Sequence, residues 1–242
     1  MKMIKLTSAA VLASIAFGNF ATTVLADDVA NYDSTGTITY VPSTDPTDPV
    51  DPLDPEGPGI DPENPDGSLP EPGTPGPLSI DFASSFDFGI QEITSSDMTY
   101  NAAAQKLSDG TTRPNYVQVT DNRGTLAGWN LSVTQEEQFS TGDTGVGSEL
   151  SGASMTLGNG HIVSASANPA DKFAASTTLV PGTQSGIILG ASDGVGTGTN
   201  LLVFGDESTE ASSVTLAVPG STTKLAQGYS TNLTWTLSDT PA

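Results

Sequence analysis

Near the end of the chain, Thr231-Asn232-Leu233-Thr234-Trp235-Thr236-Leu237-Ser238 alternates apolar and hydroxyl-bearing residues. A strand turns successive side chains to opposite faces. Leu233, Trp235 and Leu237 therefore share one face, which Tyr229 and Thr231 continue upstream. Thr234, Thr236 and Ser238 take the other. Trp129-Asn130-Leu131-Ser132-Val133 repeats the pattern a hundred residues earlier, with Trp129, Leu131 and Val133 opposing Asn130 and Ser132. Period-two alternation recurs at Leu78–Phe82, Phe86–Ile90, Tyr116–Thr120, Met155–Leu157 and Val214–Val218, and shorter apolar runs at Ile187–Leu189 and Leu201–Phe204. Turn-forming clusters such as Gly158-Asn159-Gly160 and Gly190 to Gly198 lie between them. Strands joined by such turns predict an all-β fold, an antiparallel β-sandwich or barrel-like domain. Only Ala102–Leu107 suggests a short helix.

Around this domain, the chain divides by composition. Residues 1–26 read as a secretory signal: Lys2 and Lys5 precede the mostly apolar Leu6–Phe20, and Val24-Leu25-Ala26 offers a cleavage site. Residues 27–41 form a short polar segment in which Thr37–Val41 suggests a strand. Residues 42–77 hold 12 of the 17 prolines and 9 acids, with no Lys or Arg. Asp-Pro recurs with a period of three at 45–46, 48–49, 51–52 and 54–55, matching three residues per polyproline II turn. That composition predicts a disordered, extended, Pro/Asp-rich stalk. The folded domain is expected over 78–242. No later apolar stretch reaches membrane-spanning length, and no Leu-Pro-x-Thr-Gly signal is present. The expectation is an exported protein with no membrane insertion once the signal is removed.

Composition also restricts function. The chain has no Cys, one His and a formal net charge of −21. Thiolate metal sites and thiol nucleophiles are excluded, and no metal site or cofactor is expected. The acid excess opposes binding to nucleic acid or to an anionic membrane. His161 follows a turn and, as the single His, is the one candidate base for a Ser-His-Asp relay. The carboxylate pairs Glu136-Glu137 and Asp206-Glu207 read as solvated loop charge, not as a glycosidase pair. The expectation is a non-catalytic protein.

The terminal string Tyr229, three residues, Leu233-Thr234-Trp235-Thr236-Leu237, three residues, Pro241 resembles the closing signature of the WxL-domain proteins. Asp121-Asn122-Arg123-Gly124 followed by Gly128-Trp129-Asn130-Leu131 resembles the family's upstream motif. Met155–Gly160 and Leu202–Asp206 resemble its intervening segments. The resemblance covers roughly 78–242. It implies a secreted cell-surface protein of Gram-positive bacteria, held non-covalently on the cell wall with peptidoglycan as ligand. It also implies other surface proteins as partners, including a membrane-anchored one, and a role in adhesion. A Cys-free exported chain fits that setting.

Two function classes follow. One is a wall-binding module that contacts peptidoglycan or another cell-wall glycan directly. The other is an interaction subunit of a surface complex, attached to the wall through its membrane-anchored partner. Trp129, Leu131, Tyr229, Leu233, Trp235 and Leu237 carry the motif. Their alternation allows them to be core residues or contact residues.

Overall fold

Seventeen strands form among the described residues, 30–242 of the computed structural model, and every pairing between them is antiparallel. The signal sequence expected over 1–26 lies outside that range. In chain order the strands are β1 (Val50–Asp51), β2 (Asp54–Gly59), β3 (Pro62–Glu63), β4 (Leu78–Ala83), β5 (Met98–Asn101), β6 (Gln105–Leu107), β7 (Thr112–Arg113), β8 (Asn115–Asp121) and β9 (Trp129–Gln135). They continue as β10 (Ser154–Leu157), β11 (Gly160–Ser164), β12 (Lys172–Phe173), β13 (Thr177–Thr178), β14 (Leu189–Ala191), β15 (Gly198–Phe204), β16 (Val214–Val218) and β17 (Leu233–Ser238). The all-β, antiparallel architecture is the one that the alternation predicts.

Three four-stranded sheets carry the structure, in the orders β12-β14-β9-β17, β11-β15-β8-β4 and β13-β10-β16-β5. A three-stranded sheet, β3-β6-β7, and the β1-β2 hairpin complete it. The inner faces meet in one core. Trp129, Leu131 and Val133 of β9 join Val117 and Val119 of β8, Leu202 and Phe204 of β15, Met155 and Leu157 of β10, and Val214 and Leu216 of β16. Burial of large apolar side chains is the main favourable term holding such sheets together, at about 25 cal/mol per Å².

The sheet containing β8 and β15 is apolar on both faces. Val117, Val119, Leu202 and Phe204 point into the main core, while Tyr116, Leu201 and Val203 join Phe82 in a second cluster on the opposite face. The continuous apolar run Leu201–Phe204 is the sequence mark of a strand buried on both sides.

That second face explains where the sequence expectation fails. Residues 42–77 are not a disordered, extended stalk throughout, because β1, β2 and β3 fall within them. Val50 and Ile60 pack on the Phe82–Tyr116 cluster. Gln118 clamps the segment, accepting from the Val50 N–H at 2.9 Å and donating to the Asp48 carbonyl at 3.1 Å. Arg113 donates to both Asp51 carboxylate oxygens. Pro62 and Glu63 pair with Leu107 and Lys106. An Asp-Pro repeat cannot build its own core, but it can cover an apolar face that a distant strand leaves open.

Three smaller expectations also change. Thr37–Val41 is exposed and forms no strand. Ala102–Leu107 is not helical: the Ala102 N–H donates to the Val214 carbonyl and Gln105–Leu107 forms β6. Phe86–Ile90 alternates but is irregular, because Gly89 takes φ +70° and its N–H bonds the Asp87 carboxylate. That local bond turns the chain out of any ladder.

Candidate functional site

The two Trp-x-Leu motifs lie on neighbouring strands of one sheet. β9 and β17 pair so that Leu131 faces Leu237, Val133 faces Trp235 and Gln135 faces Leu233. Directly opposed residues in an antiparallel pair share a face. Leu131 and Val133 thus stand beside Leu237 and Trp235, each on the face it shares with its own motif; the alternation gives those faces but not the pairing of the two strands. Tyr229 lies upstream on the same chain segment, its hydroxyl donating to the Gly147 carbonyl and accepting from the Leu225 N–H.

The two indoles have different environments. Trp129 is 0% exposed, and its Nε1–H donates to the Gly196 carbonyl at 2.9 Å. β9 lies between β14 and β17, and Trp129, at its start, has Ala191 directly opposite on β14. Gly196 makes this possible. It holds φ +85°, and a Cβ there would stand 2.9 Å from Trp129 Nε1 and overlap Ala191. Gly128, at φ +67°, brings the chain into Trp129 so close to Ala191 that a Cβ would sit 2.5 Å from its carbonyl oxygen. Leu131 and Val133 are also fully buried.

Trp235 is only partly buried, as are Leu233, Leu237 and Tyr229. Among the described residues, its strand is a sheet edge with β9 on one side only. Trp235, Leu233 and Tyr229 line an open groove of about 1250 Å³. One wall is the irregular segment Phe86–Ile93 between β4 and β5. The other is Lys224–Asn232, leading into β17. Tyr100, Phe139, Met155 and Leu216 also contribute to the lining. Phe88 stacks edge-on against Phe139, with ring centroids 6.0 Å apart, and Phe86 against Phe204 at 6.5 Å. Ile90 projects fully into solvent and Ile93 is exposed. A groove with aromatic floor and walls suits flat, apolar surfaces such as the faces of sugar rings or an apolar side chain.

Charge around the groove is acidic. Glu71, Asp87 and Glu92 line it with exposed side chains. The lining cation is Lys224, whose Nζ already donates to the carbonyls of Thr94, Pro219 and Thr222. Asp81 lies behind the groove at 5% exposure. Burial pushes its carboxyl above the usual range, against the opposing hydrogen bonds from Ser79, Thr120 and Gln118.

Sequence reasoning placed the Trp-x-Leu residues on shared strand faces but did not find the groove. The signal was available in Phe86, Phe88, Ile90 and Ile93, four large apolar residues in a segment also carrying Gly89, Asp87 and Glu92. The residues considered for catalysis sit elsewhere. Glu136 and Glu137 are exposed, Asp206 accepts from Ser208 and Thr209 in its own turn, and His161 Nδ1 lies 3.4 Å from the Asn159 carbonyl.

A search of curated proteins and a search of solved structures each returned no match. A family model for the WxL domain, described as surface cell wall-binding, matches residues 27–241. The match extends upstream of 78, over the segment that packs on the second face of the β8–β15 sheet. The chain therefore belongs to the WxL-domain family, whose members bind the cell wall, and it is a protein of the cell surface.

Proposed function

We propose that this protein is exported and held on the wall non-covalently and without catalysis, through the groove beside β17, with peptidoglycan as the ligand. The observation that carries the reading is Trp235. It is the one motif indole left partly open, and it lies with Tyr229 on an aromatic groove large enough for a glycan segment. Trp129, by contrast, is spent on the core. Stacking of sugar faces on indole and phenol rings is short-ranged and needs no opposite charge. That suits an acidic protein, since residues 78–242 hold 16 acids against 5 basic residues. Leu131 belongs with Trp129 as a scaffold residue, while Leu233 and Leu237 support Trp235 from its own strand.

The test is direct. The purified chain is mixed with isolated peptidoglycan sacculi and pelleted. Co-sedimentation that Trp235→Ala abolishes supports the proposal. A chain that stays in the supernatant with sacculi alone refutes direct binding.

A further inference from the structure

The backbone of β17 has a free side. On β9, the Leu131 carbonyl accepts from Ile188 N–H, and Val133 exchanges bonds with Ser185. The odd-numbered residues of β9 therefore direct their backbone groups to the β14 side. The even-numbered ones direct theirs to β17, as the bond from Glu136 N–H to the Asn232 carbonyl confirms. By register, Thr234, Thr236 and Ser238 are the β17 residues bonded to β9. Leu233, Trp235 and Leu237 then turn their N–H and C=O groups outward. Among the described residues, none of these six groups has a hydrogen-bond partner.

An open edge of this kind is usually blunted by a charge, a proline or a bulge. Leu-Thr-Trp-Thr-Leu-Ser has none of these, and its register against β9 is unbroken. The other six-residue edge of a four-stranded sheet, β4, is covered: Ile80 exchanges bonds with Thr74 on that side. Among the described residues, β17 alone combines length, an uncovered ladder and an adjoining apolar groove.

We infer that the β17 edge, with its outward Leu233, Trp235 and Leu237 backbone groups beside the Phe88–Tyr229 groove, receives an extended strand from another protein, apolar at alternate positions and basic at its flanks. The ladder dictates an extended backbone. Alternate side chains of the added strand fall on the Trp235 face and reach the groove, which dictates apolar residues there. The flanks follow from charge. Glu136 and Glu137 stand beside the start of β17, Asp239 follows its end, and Glu71, Asp87 and Glu92 line the groove. Arg113 is committed to Asp51 and Lys224 to carbonyls, and Arg123, paired with Asp121, also attracts Asp239, so the acid excess lies with Glu136, Glu137 and the groove carboxylates. A second copy of this chain, with its net charge of −21, fits that field poorly.

The added strand uses the groove proposed for the glycan, so the two ligands compete there, and the pelleting and exchange tests read them separately. The experiment is residue-resolved amide exchange on the intact chain. Its probes are synthetic peptides slightly longer than β17, with Leu or Val alternating with Thr and Lys at both ends. In the free chain, the Leu233, Trp235 and Leu237 amides exchange fast while those of Thr234, Thr236 and Ser238 are slow. With peptide, the first three become protected. N-methylation of the peptide residues facing β17 weakens binding by about tenfold or more, as two or three lost bonds require. Replacing the terminal Lys by Asp weakens it by about tenfold. The inference is overturned if those three amides are already slow in the free chain, or if they become slow only with rising protein concentration, which means self-pairing. It is equally overturned if a GlcNAc–MurNAc fragment protects them while no peptide does, or if no peptide in the set binds.

Discussion

Replacing each motif tryptophan by alanine separates scaffold from contact, because the two indoles differ in cover. Trp129 is fully buried, and a tryptophan side chain in that state hides on the order of 200 Å². Trp→Ala in a packed core costs about 3–5 kcal/mol, the transfer loss plus the void left behind. Loss of the Nε1–H bond adds little, since Asn200 Nδ2 also donates to the Gly196 carbonyl at 3.2 Å. Trp129→Ala is therefore expected to lose about 4 kcal/mol, which lowers Tm by about 8–16 °C for a domain of this size. Trp235 is partly exposed at a groove that water already reaches, so its removal leaves no closed void. Its loss is about 1–2 kcal/mol, the transfer term for part of the ring. Urea denaturation gives the two stabilities, and sacculus pelleting below the variants' melting temperatures gives binding. Trp235→Ala should keep its fold and lose pelleting, while any folded Trp129→Ala keeps pelleting. Equal stability losses refute the assignment of one buried and one open indole. Undiminished pelleting of Trp235→Ala refutes the groove as the contact.

Other outcomes follow from the same geometry. Retention on the wall should survive a wash at about 1 M NaCl, where the Debye length is about 3 Å, because stacking and hydrogen bonds are not screened; release into the wash counts against them. Gly196→Ala should cost about 3 kcal/mol, combining a left-handed φ with overlap on Trp129 and Ala191, and a melting curve within 2 °C of the parent contradicts that packing. Acid should loosen Val50–Gly59 before the core. Burial raises the Asp51 carboxyl, but hydrogen bonds from Arg113 and the Leu53 N–H outweigh it and hold it below 3.8. Its stabilisation is present above the unfolded value and lost as pH falls through the folded one. Amide exchange in β1 and β2 that does not accelerate below about pH 3.8 ahead of β8 and β9 speaks against this clamp. Asp81 acts in the opposite sense, since burial raises its pKa and protonation on acidification relieves it.

The period-two pattern of Trp129–Val133, Leu233–Leu237 and Tyr116–Thr120 was enough to specify antiparallel strands and which side chains share a face. Side-chain direction in a strand depends only on position along it. Composition specified the acidic surface and excluded thiol chemistry. Phe86–Ile90 shows the limit even at short range: its alternation is as clean as any, but Gly89 and the Asp87 carboxylate make a turn there.

Tertiary structure decided what alternation cannot express, namely what covers each face. Trp129-Asn130-Leu131 and Trp235-Thr236-Leu237 are nearly identical as patterns, yet one indole is buried and the other lines a groove. The difference is what packs on each ring: Ala191 and the close approach of Gly196 shut in Trp129, while Trp235 sits on a strand that, among the described residues, is a sheet edge beside the groove. The Asp-Pro segment likewise reads as solvated by its own composition. It is drawn onto the domain by Gln118, Arg113 and the apolar cluster around Tyr116, some sixty to seventy residues away. Burial is a property of contacts between distant segments, so a local pattern shows which residues can face inward but not which of them are covered.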